Sequence, residues 1–163
     1  KPSDSVTGVY YFSTYVFWKR DSVSRHKLYI KALRSAGVKC VMGRFMKKTA
    51  QCHKCGKRYT TKEEKQTDVN IAISLLSDAV TDDYDRAVIV SADTDLIPAI
   101  EAVHRLDPTK EIGIMAPLRR PNNSLQKAGD FQLTMKEQLL AAAQFPNELP
   151  LGHITIKRPS TWA

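Results

Sequence analysis

Apolar positions along this chain keep two rhythms in turn. Runs rich in Val, Ile, Tyr and Phe predict strands at Val6–Phe17, Val38–Phe45, Ala87–Ser91, Glu111–Met115 and Phe131–Thr134. Between them apolar residues recur three and four apart, the spacing of a helix with one buried face. Leu28, Ile30, Leu33 and Ala36 predict such a helix, starting at Asp21–Ser24 and ended by Gly37. Val69, Ala72, Ile73, Leu76 and Val80 predict another over Thr67–Thr81. Helices are also expected over Thr94–Leu106 and Lys136–Gln144, with a short helical turn at Ser124–Ala128. Strands alternating with helices imply a parallel sheet with helices on both faces, joined by right-handed crossovers. The expected fold class is therefore α/β, a Rossmann-like three-layer α/β/α arrangement with a mainly parallel sheet. Residues 1–163 read as a single domain. It carries a basic, Cys-containing insertion at about 47–62 and a Pro-punctuated tail over 146–163.

One strand stands out by how it ends. Arg86-Ala87-Val88-Ile89-Val90 is followed by Ser91-Ala92-Asp93-Thr94-Asp95. The apolar run reads as a strand buried on both faces, and Asp93 and Asp95 follow at its carboxyl end. Open α/β sheets place their ligand crevice at that edge. Two carboxylates with one residue between them repel unless a cation sits nearby, and Mg²⁺ is the cation that carboxylate oxygens and water suit. The plainer reading makes Asp93 a helix cap, with Pro98 in the first turn that follows.

Charge sharpens this picture. Residues 1–65 carry 16 Lys and Arg against 4 Asp and Glu, whereas residues 66–163 carry 9 against 13. Basic residues that hold phosphates beside acids that hold metal are what a nuclease requires; a solvated basic surface would show the same composition. No apolar run is long enough to span a bilayer, so no membrane role is expected. The first residues lack the apolar core of a secretory signal. Lys1 is not a methionine, as in a processed or truncated chain. Three cysteines, an odd number, argue against a disulfide framework and for a reducing cytoplasm.

Glu63-Glu64-Lys65-Gln66-Thr67-Asp68-Val69-Asn70 opens the helix over Thr67–Thr81, with Thr67 as its expected N-cap and Asp68 in the first turn, where the helix dipole favours a carboxylate. This stretch and Ala87–Ile100 together resemble the NYN domain family of the PIN-like nuclease superfamily. Tyr10-Tyr11-Phe12-Ser13, Tyr29–Leu33, Gly43-Arg44-Phe45 and Arg158-Pro159 with Trp162 extend the resemblance over nearly the whole chain. It implies a PIN-like fold, an acidic pocket binding Mg²⁺ or Mn²⁺, and metal-assisted hydrolysis of RNA. On that pattern Asp68, Asp93 and Asp95 match catalytic, metal-holding acids, and Asp130 falls near a further family Asp. Ser91 and Thr94 are candidates to hydrogen-bond phosphate or metal-bound water, Asn70 to orient a water, and Lys65 to neutralise a phosphate or pair with Glu64. The sequence departs from the family in showing no strand ending in D-G-x-N and in having Ala92 where Gly is usual.

The insertion and one loop carry the remaining chemistry. Lys47, Lys48, Lys54, Lys57 and Arg58 interleave with Tyr59, a composition that suits single-stranded RNA through charge and base stacking. Arg119 and Arg120, in the loop over Pro117–Asn123, are a second phosphate-contact candidate. Cys52 and Cys55 look like half of a zinc ribbon; zinc wants four ligands, so Zn²⁺ is the lesser reading and a flexible basic loop the greater, with His26 and His53 as uncertain further donors. His104 reads as a helix-surface residue. The sequence neither requires nor excludes a homodimer. The leading reading is a metal-dependent ribonuclease; the alternative is a catalytically silent nucleic-acid-binding or regulatory module. A phosphatase with a D-x-D nucleophile fits the Glu63–Asp68 stretch poorly.

Overall fold

The computed structural model describes residues 4–118, 120 and 122–162. They form two compact units, one of residues 8–70 and 146–162, the other of residues 4–7 and 71–145. The protein is mixed α/β with several parallel strands.

In the first of these units, β1 (Tyr10–Ser13), α1 (Arg20–Ser35) and β2 (Lys39–Met42) make a β-α-β crossover, with β1 and β2 parallel from Tyr10↔Lys39 to Ser13↔Met42. Ile30 and Ala32 of α1 are buried. The strand expected over Val38–Phe45 divides at Gly43, because a Cβ there would lie 2.8 Å from the Lys65 carbonyl and from Thr67 Oγ1. Only a glycine lets the chain pass so close and turn away from β1.

Beyond Gly43 the expectation of a flexible loop is corrected. Residues Arg44–Gln51 (β3) and Arg58–Lys65 (β4) form an antiparallel ribbon in unbroken register, Arg44↔Lys65 to Gln51↔Arg58. Its residues mix Phe, Met, Ala, Thr and Tyr with charge in no strict alternation, and most of them are exposed. Glu63, Glu64 and Lys65 accordingly belong to β4 and not to the helix. The tail is also ordered: β8 (Glu148–Leu151) and β9 (Ile154–Lys157) pair antiparallel, and Trp162 packs edge-on against Tyr29, which packs edge-on against Tyr11.

Helix α2 (Thr67–Val80) leads into the other unit, where β5 (Arg86–Val90), β6 (Glu111–Ala116) and β7 (Phe131–Thr134) form a parallel sheet in the order β5-β6-β7. α3 (Ile97–Leu106) and α4 (Asn123–Ala128) connect the strands, and α5 (Glu137–Ala142) follows β7, shorter than expected and without a buried residue. Ile100, Val103, Ile112, Ile114 and Leu125 are fully buried at the centre of this core, with Ile89, Leu96 and Ala79 around them.

Two expectations change here. β5 is packed on one face only: Ile89 is buried, while Val88 and Val90, which alternate with it, lie on the opposite face and are exposed. The buried side of α2 shares only Leu76 with the residues of the expected stripe that are either packed on the core or exposed. Ile71, Leu75, Leu76 and Ala79 meet the core, whereas Val69, Ile73 and Val80 are exposed. The helix is apolar on both sides, so spacing alone could not choose between them. No helix of the described residues is long and apolar enough to cross a membrane.

These burials fix an expected contrast. Ile100→Ala should lower stability by about 2–5 kcal/mol, the range for emptying a filled core position. Ile73→Ala should change it by no more than about 0.5 kcal/mol. Chemical denaturation of the two variants checks this; equal losses would mean that the exposed side of α2 is covered in solution.

Candidate functional site

The chain leaves β5 at Val90 and turns through Ser91, Ala92 and Asp93 into a tight helical turn (Thr94–Leu96) that runs on into α3. Short polar bonds hold this turn. Asp93 donates its N–H to Ser91 Oγ at 3.1 Å, and Asp93 Oδ1 accepts the Asp95 N–H at 3.0 Å. Asp93 is thus a cap, as the plainer reading has it, yet one cap bond engages only one of its carboxylate oxygens. Buried Leu96 anchors the turn from below, and Asp93, Thr94 and Asp95 remain exposed above it.

A second tie comes from a residue the sequence reading passed over. Asn122 donates from Nδ2 to the Ala92 carbonyl at 2.8 Å, while its Oδ1 accepts the N–H groups of Ser124 and Leu125 at the start of α4. An Asn just before a short helical run is a recognisable N-cap signal; its second bond, across to the Asp93 turn, has no local signature. The loop after β6 and the turn after β5 are so joined around an open depression of about 630 Å³, lined by Ser91, Asp93, Thr94, Pro117, Leu118 and Arg120. Asp95, Arg120 and Asp93 are therefore all at the carboxyl edge of the parallel sheet, with one cation among them. Arg119 lies outside the described residues.

Asp130 is placed elsewhere. It precedes β7, and its carboxylate accepts the Ile112 N–H at 2.6 Å and bonds His104 Nε2 at 2.9 Å. Ile112 is at the start of β6, so Asp130 sits at the amino edge of the sheet. A five-residue strand at ~3.3 Å per residue puts about 16 Å between it and the Asp93 edge. His104 is correspondingly not a plain surface residue but one arm of a clasp joining α3 to the β6 and β7 starts. Partial burial would raise the Asp130 pKa, but the Ile112 amide and His104 outweigh it and hold the carboxyl below its usual range.

Asp68, Asn70 and Lys65 belong to the other unit. Asp68 is exposed in the first turn of α2, and Asn70 is half-buried two residues on. The helix is entered through Gln66, whose φ of +79° is rare for a side chain other than Gly and whose carbonyl accepts the Asn70 N–H at 2.8 Å. Thr67 is therefore not the cap; its hydroxyl donates to Glu64 at 2.5 Å. Lys65 pairs with Glu63 at 2.9 Å rather than with Glu64, and Lys48 meets the same Glu63 at 3.0 Å. The two ammonium groups hold the Glu63 carboxyl below its usual value.

The cations expected to meet nucleic acid stand along the ribbon. Lys47, Lys48, Lys54, Lys57, Arg58 and Tyr59 are all exposed. Lys62, opposite Lys47, lies 3.8 Å from the Trp18 ring centroid and 5.5 Å from that of Phe17, and Trp18 packs on Phe45. Cys52 and Cys55 occupy the ribbon tip, and neither is in a disulfide. The N–H groups of Cys55 and Lys54 turn onto the Cys52 sulfur and, with the Cys55 thiol, hold its pKa below the usual thiol value. His26 instead bonds Ser13 Oγ at 3.3 Å, and burial lowers its pKa. Among the described residues no three His, Cys, Asp or Glu side chains gather as a metal cluster.

A parallel sheet with crossover helices and paired carboxylates after a strand defines an α/β protein with an acidic site at the carboxyl edge of its sheet. The chain belongs to the NYN domain family, which matches residues 4–135. The 6-hydroxy-3-succinoylpyridine 3-monooxygenase HspA of Pseudomonas putida is 37% identical over 105 residues, 61% of this chain and 33% of that protein. This chain thus spans about a third of the curated relative's length. In fold it is similar to a crystal structure of a protein of unknown function from Vibrio parahaemolyticus, with a TM-score of 0.50 and 19% identity over 69% of this chain and 61% of that one.

The Asp130 clasp makes acid stability a measurable consequence. A carboxyl with a depressed folded pKa stabilises fully above its unfolded value and loses that contribution as pH falls through the folded one. Asp130→Asn should therefore be less stable than the parent at neutral pH. Urea titrations repeated toward acid pH should show the two proteins converging; a constant gap would remove the carboxylate's charge from the explanation.

Proposed function

We propose that the protein is a metal-dependent ribonuclease with the three-layer PIN-like α/β/α arrangement, cutting single-stranded RNA in the cytoplasm. The observation that supports it most is the exposed pair Asp93 and Asp95, on a turn tied by Asn122, beside an open depression that Arg120 also lines. The donor set fits Mg²⁺ or Mn²⁺, since such ions take one or two carboxylates and fill their remaining positions with water and substrate phosphate. Asp93 and Asp95 would hold the ion, and Asp68, in the other unit, matches a further acid of the family pattern. When bound, the ion supplies stabilisation of phosphate charge and a more acidic water. Arg120 receives a phosphate of the substrate. Thr94 Oγ1, and Ser91 where its bond to Asp93 allows, orient phosphate or water, and Asn70 positions a water beside Asp68. Lys65, shared with Glu63, offers part of its charge to the RNA backbone. The ribbon cations and Tyr59 bind the RNA strand through backbone charge and stacking.

The 37% identity with the pyridine monooxygenase favours a second reading, in which the depression takes part in hydroxylating a nitrogen heterocycle. Incubating the protein with single-stranded RNA and Mn²⁺ or Mg²⁺, with and without chelator, separates the two. The nuclease reading expects chelator-sensitive cleavage that falls at least about a hundredfold in Asp93→Asn, on the scale lost with one group that stabilises transition-state charge. Raising salt from about 50 to about 200 mM should weaken RNA binding by about tenfold or more through counterion release. Binding without cleavage would favour the silent module. Neither binding nor cleavage would leave the heterocycle reading.

A further inference from the structure

The tip of the basic ribbon holds chemistry that the Asp93 edge does not use. Eight cross-strand pairs carry β3 and β4 from Arg44↔Lys65 to Gln51↔Arg58, and there the strands end in Cys52-His53-Lys54-Cys55-Gly56. The turn is firmly stitched. Cys52 N–H donates to the Lys57 carbonyl, Gly56 N–H to the Cys52 carbonyl, and Gln51 Nε2 to the Gly56 carbonyl, each at 2.9 Å. Gly56 has φ of +70°, a conformation that admits glycine at little cost. Cys52 and Cys55 thus lie together in one closed turn, Cys52–Lys57, at the ribbon end.

Two cysteines two residues apart in one closed turn have the spacing of a pair of metal thiolate ligands. A turn already closed needs little rearrangement to bind. The pair supplies only half of a tetrahedral zinc shell. Among the described residues no third His, Cys, Asp or Glu joins it, and Cys40 on β2 is turned to the Val38 carbonyl. The missing ligands must come from outside the ribbon.

The geometry points to a zinc ion shared by two copies of this chain, ribbon tip to ribbon tip, with Cys52 and Cys55 of each copy as its four ligands. Charge selects a second copy as the source. Zn²⁺ with four thiolates bears two net negative charges, and each tip brings Lys54, Lys57 and Arg58, all exposed. A two-fold contact places these cations around the anionic centre, so the like charges that would keep two bare tips apart acquire a common partner. Residues 53–60, Cys55 among them, are exposed and Cys52 is half-buried at the same end, so the pair opens at the ribbon tip. Thiolate ligands select zinc over the hard cation suited to Asp93 and Asp95, so the two sites do not compete.

The test uses the reduced full chain titrated with Co²⁺, followed by visible absorption and light scattering, then challenged with Zn²⁺. Thiolate-to-metal charge transfer and tetrahedral d–d bands should saturate at one ion per two chains. The mass should double with metal and return to monomer with chelator, and Zn²⁺ should bleach the bands without dissolving the dimer. Cys52→Ser with Cys55→Ser should abolish both signals while leaving the circular dichroism and melting of the metal-free parent unchanged. Thiolate-to-metal bands or a metal-dependent dimer that survive in this double variant overturn the proposal. So does saturation at one ion per monomeric chain, and so does the absence of thiolate bands at micromolar metal.

Discussion

The burial of Ile112 and Ile114 beneath α3 and α4 is the constraint on which the candidate site depends. β6 is the central strand of its sheet, and these two residues are fully buried with Ile100, Val103 and Leu125. Each such side chain stabilises the fold by about 1.5–3 kcal/mol. Because β6 is locked, its neighbours are locked in register: Val90 faces Met115, and Thr134 faces Ala116. A slip of one residue would turn Ile89 out of the core. The level at which β5 ends is thereby set, and with it the place where Asp93 and Asp95 leave the sheet.

Polar side chains then finish what the core begins, one at each edge. At the carboxyl edge Asn122 uses its amide as donor and acceptor at once, serving backbone groups of the Asp93 turn and of the α4 start. The loop bearing Arg120 and the turn bearing Asp93 are thus coupled, so the depression between them has a defined width. At the amino edge Asp130 does the equivalent for β6 and α3, through Ile112 and His104. Both residues satisfy backbone donors that would otherwise lack partners at loop ends. The similarity of these roles explains why a carboxylate that resembles a site residue in sequence serves architecture in space.

What the sequence made legible follows the strength of local signals. β6, β7 and the Asp93 turn were readable because short apolar runs ended at polar residues with strong turn and cap preferences. α2 was readable as a helix but not in orientation, since Ile71, Leu75 and Ala79 are as apolar as Val69, Ile73 and Val80. β3 and β4 were hidden because lysines and threonines on an exposed ribbon look like a solvated loop; their pairing is a long-range fact without an apolar period. Asn122 and His104 were missed for a similar reason, since each depends on a partner at least 26 residues away. Of the candidate site, the residues of the β5 turn were legible, and the edge to which Asp130 belongs was not.

The ribbon itself shows that stability is not what its charges serve. Lys47 faces Lys62 directly across the strands, and like charges in that position are destabilising. Lys62 recovers part of the loss by resting over Trp18 and Phe17. Glu63 answers Lys48 and Lys65. Even so, Arg44–Lys65 holds eight Lys and Arg against two Glu. Alternating signs across the same pairs would have given a more stable ribbon from the same kinds of residue. An excess kept at a cost to the element that bears it implies a counter-charge from elsewhere, and a polyanion bound along the strands and a thiolate-metal centre at the tip are two that its chemistry can accept together.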